Sequence, residues 1–483
     1  MDISKKHVIS NLIWKLFERV GSQGIAFIVS IVLARLLTPE EYGIIALITV
    51  FISVANIIIQ SGMNTALIQK KQVTEGDFSS VFFLSIIMAA IIYIILYLTA
   101  PLIAGFYNMN ELTWVLRVLS LILFPGAFNS IQVAYISKRL EFKKLFYSSM
   151  GAVVISGGIG IGMAYVGAGV WSLVGQQLIN QVTITIILLF VARWRPKAVF
   201  SLWRVRELFA FGWKLLCSNL IDTIYQNLYN LVIGKLYNKN LLGLYNQGSQ
   251  YPKFIVSNIN GAIQSVMLPV FSEKQDDLQS LKNMLRRSIM TSAFLIFPMM
   301  LGLAAIAEPL VYVLLTEKWK GAIVYLQISC ITYAFWPIHA ANLQAINAIG
   351  RSDIFLVLEI IKKIVGVLVL IACIPYGVTA MVAGQAVVSF LATLINAFPN
   401  KKLLHYSYFE QMKDFGAVGI ISVIMAGIVY LTTLLAFPNG IKVVVGIAVG
   451  IIVYVLLCIL TKNESYYYVW NNLKLMRRRT PHE

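Results

Sequence analysis

The sequence predicts an all-α integral membrane protein that crosses the bilayer about fourteen times. Of its 483 residues, 59% are hydrophobic and only 12% are charged, with a mean hydropathy of +0.78. A soluble domain carries roughly 25% charged residues, so this composition belongs to the membrane class. Uncharged stretches run from Lys144 to Arg193 and from Lys363 to Lys401, and each is long enough for about two helices of roughly 20 apolar residues.

The apolar runs place the helices one after another along the chain, separated by short polar or glycine-containing connections. We expect the first helix to stay in the mature protein, because Lys15, Glu18 and Arg19 interrupt its apolar run and no small-residue cleavage pattern follows. In order, the predicted helices lie near residues 10–35, 42–66, 79–103, 113–135, 147–167, 170–192, 212–236, 243–270, 289–316, 321–346, 354–374, 377–399, 415–436 and 441–461.

The basic residues predict the orientation of these helices. With an even number of crossings both termini lie on one side, and the connections of that side hold most of the Lys and Arg residues. The other side holds only Arg35, Lys235, Lys239, Lys318, Lys320 and Lys442. The richer side is cytoplasmic under the positive-inside rule. The net charge of +18 is therefore an orientation signal and a contact for anionic lipid headgroups, and a nucleic-acid partner is not expected.

An internal repeat predicts the domain organisation. Residues 34–43 match residues 234–243, Pro125 matches Pro337, and the Gly-Gln pair at 175–176 matches that at 384–385. The offset spans six helices, so the copies run in the same direction, and parallel repeats of this kind form two-lobed transporters with a substrate path between the lobes. The predicted domains are a six-helix lobe at 1–192, a cytoplasmic interfacial linker at 193–211, a second six-helix lobe at 212–400, and two added helices with a basic tail at 401–483.

Polar side chains form stripes on four of the predicted helices. Ionisable groups inside a membrane are costly and usually face a cavity or a partner, and cationic groups suit an anionic substrate such as a diphosphate. The candidate substrate-binding residues are Lys15, Arg19, Lys214, Lys253, Asn56, Gln60, Asn260 and Gln264. Glu18 and Asp222 are candidates to carry a coupling proton or cation.

Each of these residues also has a structural interpretation. Lys15 and Lys214 lie about one turn inside their helices and could extend to the cytoplasmic headgroups, whereas Lys253 lies too far from either helix end for this. The Asn and Gln stripes could join helices to one another. Glu18 and Asp222 could neutralise the neighbouring lysines.

No pattern typical of catalysis occurs in the sequence. The four histidines are scattered, there is no nucleotide-binding glycine loop, and the intramembrane carboxylates are too few for a paired acid and base. An enzyme is therefore not expected, and neither a cofactor nor a metal site is predicted.

Two motifs carry a family resemblance. Residues 34–43 (ARLLTPEEYG) resemble the opening signature of bacterial polysaccharide transporters and O-antigen flippases (Wzx-like) of the multidrug/oligosaccharidyl-lipid/polysaccharide (MOP) exporter superfamily. Residues 170–176 (VWSLVGQ) are also similar to this family, and the resemblance extends over the whole chain in length, helix number and repeat.

The resemblance implies a MOP/MATE-like flippase of the bacterial cytoplasmic membrane. Such a protein would move undecaprenyl-diphosphate-linked oligosaccharides to the outer leaflet by alternating access, for O-antigen, capsule, exopolysaccharide or teichuronic-type polymers. Its partners would be this lipid-linked substrate and membrane lipids, together with a polymerase and glycosyltransferases. The basic residues Lys15, Arg19, Lys214 and Lys253 would engage the diphosphate or acidic sugars.

Three alternatives remain open at the level of the sequence. A lipid II flippase would share the basic cavity and the fourteen helices. A multidrug cation exporter of the same superfamily would need an acidic cavity, against the surplus of Lys and Arg in these helices. A non-transporting scaffold for a polymerase complex is the alternative from a different functional class.

Overall fold

The computed structural model describes residues 5–192, 194–273 and 277–478. Side chains are described from Gly21 to Asn471, apart from the two gaps and residues 262, 265, 266, 268 and 269. The described residues form helices and connecting segments without β-strands.

Within these residues, fourteen long helical segments follow the predicted helices in order, and a further helix follows the last of them. Their bounds are α1 (Lys5–Leu36), α2 (Pro39–Gln60), α3 (Glu75–Tyr107), α4 (Leu112–Lys138), α5 (Phe142–Tyr165), α6 (Val170–Val191), α7 (Leu202–Leu236), α8 (Lys239–Glu273), α9 (Leu278–Ala305), α10 (Ala322–Ala348), α11 (Ser352–Cys373), α12 (Val378–Ala397), α13 (Tyr408–Thr433), α14 (Asn439–Leu460) and α15 (Glu464–Arg478). Short helices at Met63–Gln69, Ala307–Leu314 and Asn400–Leu403 follow α2, α9 and α12.

Local sequence explains where several helices begin. Capping boxes start α2, α3 and α13, each with a Ser or Thr side chain and an acidic residue three positions later bonding to each other's backbone N–H. In α2, Pro39 occupies the first turn, where a missing N–H removes no hydrogen bond. These signals explain why the three helices begin at Pro39, Glu75 and Tyr408.

The fourth helix of each predicted repeat is interrupted at a matching point. In α4 a single 3₁₀ turn, Ser120–Ile122, precedes Pro125. In α10 the helix is broken at Phe335, two residues before Pro337. A proline cannot donate the backbone hydrogen bond that a continuous helix needs, so the two matched prolines explain both interruptions.

The described chain divides into two compact units, Met1–Gly243 and Leu244–Glu483. In unit 1, α1 packs against α5, α5 against α6, and α2 against α7. One end of this unit has an aromatic cluster in which Trp194, only 3% exposed, packs with Phe78 and Tyr135. The backbone oxygen of Trp194 accepts a hydrogen bond from Gln132 at 3.2 Å.

Unit 2 is held together by α9, α10, α12 and α13, with α14 packed on α13. A buried amide network crosses three of its segments: Asn342 and Gln411 exchange side-chain hydrogen bonds of 2.9 and 3.0 Å, and Asn400 donates to Asn342 at 2.7 Å. An unpaired buried amide is costly, so these mutual bonds fix α13 against α10 and the end of α12.

The predicted linker at 193–211 differs from the structure in its second half. Residues 202–211 are the beginning of α7, which is continuous from Leu202 to Leu236, and do not form a separate interfacial helix. The reason is packing, because Val205 and Leu208 are buried in the aromatic cluster of unit 1. The division between the units also falls within α8, later than the predicted lobe boundary, and the lobes themselves stay a prediction.

Two glycines bring the beginnings of α2 and α8 into backbone contact within unit 1. A Cβ on Gly43 would lie 1.8 Å from the carbonyl oxygen of Lys239, and a Cβ on Gly243 would lie 1.8 Å from that of Pro39. Both positions therefore require glycine. The two glycines, and likewise Pro39 and Lys239, are matched positions of the sequence repeat, so the contact is reciprocal.

Candidate functional site

The polar stripe predicted on α7 lies in unit 1. Lys214 is exposed, two residues after Gly212, whose backbone packs closely against the left-handed turn at Ser61 and Gly62. Asp222 is half-buried and accepts a hydrogen bond of 2.6 Å from Gln226 one turn later. Asp222 is thus held in place, while Lys214 is accessible.

The amides predicted on α2 lie in the same unit. Gln60 is exposed at the end of the helix and Asn56 is half-buried one turn before it. The side-chain oxygen of Asn56 lies beside Gly126 of α4, where a Cβ would be only 3.3 Å away. Asn56 therefore lies close to the interrupted helix, whereas Gln60 is accessible.

The stripe on α8 continues in unit 2. Lys253 is exposed although it lies about four helical turns from the nearer end of α8. Asn260 is only 6% exposed. Gln264 accepts a hydrogen bond of 3.3 Å from Gln344 of α10, so this amide joins two helices.

Three candidate residues, Lys15, Glu18 and Arg19, have side chains outside the described part of the structure. Their backbone belongs to α1. Their roles stay predictions.

The polar helices also stand apart in hydropathy. Ten helical segments of the described chain are long and apolar enough to cross a membrane by length and composition, and α7, α8 and α11 are not among them. The described side chains of α1 contribute a shorter apolar helix, Gly21–Leu36. The four long helices outside the apolar ten are thus α1, α7, α8 and α11, and each of them carries charged residues, which in α11 are Glu359, Lys362 and Lys363.

An apolar groove lies on the surface of unit 2. It has a volume of about 520 Å³ and is formed by α8, α9, α13 and α14 together with the turn after α9. Gly302, Gly446 and Gly450 line it, next to Phe294, Pro298 and Tyr454. The glycines leave room between the helices, and the lining suits a hydrocarbon chain.

A second cavity, in unit 1, was not predicted as a site. It lies where the beginnings of α2, α4 and α6 meet the beginning of α8, and it is bordered by both motifs of the family resemblance. Each motif is recognisable in the sequence, but their proximity is not, because more than a hundred residues separate them.

Metal ligation has no candidate in the described chain. Among the described residues, no group of three or more His, Cys, Asp and Glu side chains could hold a metal ion.

Comparison with known proteins gives relatives over most of the chain. The teichuronic acid biosynthesis protein TuaB of Bacillus subtilis (strain 168) is 24% identical over 415 residues, covering 84% of this chain and 85% of the relative. The succinoglycan biosynthesis transport protein ExoT of Rhizobium meliloti (strain 1021) is 23% identical over 477 residues, covering 96% and 94%.

Solved structures show the same fold. The lipid II flippase MurJ, in an inward closed conformation, superposes with a TM-score of 0.75 at 16% identity, over 94% of this chain and 99% of MurJ. This likeness, and that to a solved transporter of the MOP superfamily, confirm the predicted MOP/MATE-like fold class. They also identify a multi-pass membrane protein.

The family itself follows from a match over more than half of the chain. Residues 32–324 match the family described as polysaccharide biosynthesis protein. The match begins just before the motif at 34–43 and includes that at 170–176, the two motifs from which the resemblance was drawn. This chain belongs to the polysaccharide biosynthesis protein family.

Proposed function

We propose that the protein is a flippase for undecaprenyl-diphosphate-linked oligosaccharide repeat units of a surface polysaccharide. It moves them from the cytoplasmic to the outer leaflet of the bacterial cytoplasmic membrane by alternating access. Both termini lie in the cytoplasm under the positive-inside rule.

The observation that carries the proposal is the exposed Lys253 in the middle of α8. An ammonium so far from the helix ends needs water or an anion beside it, because it cannot extend to the headgroups. A water-filled path with a fixed cation suits a diphosphate, whose oxygens accept charge-assisted hydrogen bonds. Lys214, exposed on α7, supplies a second cation.

Two further observations support this substrate class. The relatives are named for teichuronic acid biosynthesis and for succinoglycan biosynthesis transport, and these names support a polysaccharide precursor as the proposed cargo. The apolar groove of unit 2 offers a surface for the polyprenyl chain. Without such a surface the apolar chain would have to pass along the same polar path as the charged headgroup, which is unfavourable.

The remaining candidates belong to the same proposal. Lys15 and Arg19 on α1 add positive charge, and Asn56, Gln60, Asn260 and Gln264 offer hydrogen bonds along the path. Glu18 and Asp222 are the candidates for the coupling ion. The glycosyltransferases and polymerase of the same polymer are the proposed partners.

The test is flipping by the purified protein in liposomes. A labelled undecaprenyl-diphosphate-linked oligosaccharide is placed in the membrane, and its exposure to an outside reagent is followed with time. We expect protein-dependent exposure that Lys253→Ala slows about tenfold or more, as loss of a charge-assisted contact to phosphate would do. Lys401→Ala, which removes an exposed lysine beyond the end of α12, is the matched control and should retain the wild-type rate.

Two results would contradict the proposal. Export of small organic cations without flipping of any lipid-linked sugar would assign the protein to drug efflux. Wild-type flipping in both Lys253→Ala and Lys214→Ala would remove the cationic path from the mechanism.

A further inference from the structure

The cavity in unit 1 is formed by segments that are far apart in the sequence. It has a volume of about 530 Å³, within the range of roughly 300–1,000 Å³ typical of small-molecule sites. Residues of the α1–α2, α3–α4 and α5–α6 connections line it together with Lys239. We call this cavity the acidic vestibule, because Glu40, Glu41 and Glu111 contribute its carboxylates.

The Glu41 carboxylate is held in a fixed position. One of its oxygens accepts hydrogen bonds from the backbone N–H of Thr38 at 2.6 Å and from its hydroxyl at 3.0 Å. The other oxygen lies against Gly169, where a Cβ would be only 2.6 Å away. Gly169 has a φ of +58° just before α6, so its backbone conformation also favours glycine. The family motif at 34–43 and the glycine-rich turn before the motif at 170–176 thus position one carboxylate.

Lys239 joins the other two carboxylates. Its ammonium lies 3.1 Å from Glu40 and 3.3 Å from Glu111. Burial disfavours the charge of Lys239, but the hydrogen bonds and charges of Glu40 and Glu111 outweigh this and raise the pKa of its ammonium. Both glutamates keep half or more of their side-chain surface exposed, so their remaining lone pairs can accept hydrogen bonds from a ligand.

Two tryptophans border the same space. Trp114 in the first turn of α4 is 60% exposed, and Trp171 in the first turn of α6 is 38% exposed. Aromatic rings next to hydrogen-bond acceptors match a sugar, since the C–H face of a pyranose packs on a ring while its hydroxyls donate to carboxylates. A binding site for a lipid chain would lack the carboxylates.

We propose that the acidic vestibule binds a neutral sugar ring of the oligosaccharide. This inference rests on the proposed function for the identity of the cargo, but the binding it describes can be measured without transport. By the positive-inside rule the connections concerned face the outside, so the site would receive the saccharide after it has crossed.

The charges of the acidic vestibule make the inference specific. Three carboxylates against one ammonium leave a net negative site, which repels uronates and other anionic sugars. Hexoses and N-acetylhexosamines have hydroxyl and amide donors and no charge, so they fit the site.

The test is saturation-transfer-difference NMR on the full-length protein in nanodiscs, with three soluble probes: cellobiose, N,N′-diacetylchitobiose and glucuronate. We expect signal transfer to the ring protons of the two disaccharides and little transfer to glucuronate. Trp171→Leu and Glu111→Gln should each weaken the disaccharide signal about three- to tenfold, through loss of a ring face or of a charged acceptor. Trp203→Leu, which removes a 72% exposed tryptophan at the beginning of α7, is the matched control and should leave the signal unchanged.

Several outcomes would overturn the inference. The first is that the wild-type protein transfers no signal to either disaccharide, and the second is that it transfers as much signal to glucuronate. The third is that the disaccharide signals are unchanged in both Trp171→Leu and Glu111→Gln. This third result would mean that the tryptophans only anchor the protein at the membrane interface. The liposome assay on the same preparations separates this inference from the proposed function. Flipping without disaccharide binding refutes the acidic vestibule alone, and disaccharide binding without flipping refutes the transport proposal alone.

Discussion

Asp222 shows how one residue of the polar stripe can have two roles. It lies inside α7, where it accepts a 2.6 Å hydrogen bond from Gln226, and eight residues separate it from the exposed Lys214. A carboxylate inside a membrane helix is costly, so it either balances a charge or binds an ion during transport. Substitution separates these roles, because an amide keeps the shape and the hydrogen bond but cannot change its charge.

We expect Asp222→Asn to flip the lipid-linked substrate at a rate that no longer responds to an imposed proton or sodium gradient. The wild-type rate should rise several-fold with the correct gradient, because binding of the coupling ion to one conformation shifts the population towards it. The measurement is the liposome assay with and without the gradient. Glu308→Gln, which removes an exposed carboxylate from the short helix Ala307–Leu314, is the control and should keep the response. A preserved response in Asp222→Asn would assign the residue to charge balance.

Single residues also mark the limit of what the sequence could reveal about the site. Lys253 was predicted from its distance to the helix ends; the structure places it exposed within α8, and its role stays a prediction. Gln264 was predicted as a site residue from its spacing along the polar stripe. Its hydrogen bond to Gln344 could not be predicted in this way, because it depends on how α10 packs against α8. The Glu41 carboxylate could be recognised as part of a helix cap, yet its contact with Gly169 depends on packing between helices more than a hundred residues apart.

At the scale of the helices, the backbones of α2 and α8 contact each other at Gly43 and Gly243. Each glycine lies against a carbonyl oxygen of the other helix, so there is no flexible side chain that could move aside. Overpacking at a position of this kind forces the two backbones apart and typically costs about 1–3 kcal/mol or more.

We expect Gly43→Ala to destabilise the protein strongly. The new Cβ would lie 1.8 Å from the Lys239 oxygen, so α2 and α8 must separate by more than an ångström. Thermal unfolding in detergent, followed by fluorescence of a reporter dye, should show a melting temperature several degrees lower, as expected for a cost of about 1–3 kcal/mol. Gly158→Ala in α5 is the matched control, because no atom lies within 4 Å of its Cβ position and it should be neutral or slightly stabilising. Equal melting temperatures for the two variants would mean that the contact opens freely.

The predicted helix starts near residues 42, 79 and 415 lie three to seven residues after the capped starts of α2, α3 and α13. The capping boxes and the prolines at 125 and 337 are local signals that explain these starts and the two interruptions once the structure is known. The beginning of α7 at Leu202 has no such signal, and burial of Leu208 in unit 1 determines it. Tertiary contacts therefore extend α7 into the second half of the predicted interfacial linker at 193–211.

At the scale of the whole molecule, basic residues join the connections at one end of unit 1. Lys70 lies 2.9 Å from Glu207, and Arg204 lies 3.3 Å from the buried Asp77, so the α2–α3 connection is linked to the beginning of α7. Lys138 donates hydrogen bonds to the backbone oxygens of Ile68 and Lys70 at 2.6 Å. The opposite end of unit 1 carries the acidic vestibule, so the charge asymmetry read from the sequence is present within one compact unit.

We expect this asymmetry to set the topology in the cell. In a background in which the exposed Cys217 is replaced by serine, Lys402→Cys should be protected from a membrane-impermeant maleimide in intact cells. Phe437→Cys, in the connection between α13 and α14, should be labelled under the same conditions. Both variants should be labelled after permeabilisation, which is the control for accessibility. The reverse pattern in intact cells would invert the orientation and place the acidic vestibule in the cytoplasm.

The fold class was accessible from composition and hydropathy because a membrane imposes a strong length requirement on every helix. The division into two compact units could not be predicted from the sequence. The repeat reflects the order of the helices along the chain, whereas the compact units depend on which helices contact each other. α7 opens the second repeat in sequence, yet it packs on α2 and is counted with unit 1.

The contact between Gly43 and Gly243 also limits how the two halves of the sequence can diverge. If the two halves descend from one duplicated gene, most positions were free to diverge, because a change in one copy can be compensated by a side chain in the other. Here each glycine faces a main-chain carbonyl, which every amino acid possesses, so no substitution in the partner copy can compensate for its loss. The two positions are therefore expected to have remained glycine independently, as a record of the duplication that the rest of the sequence has nearly lost.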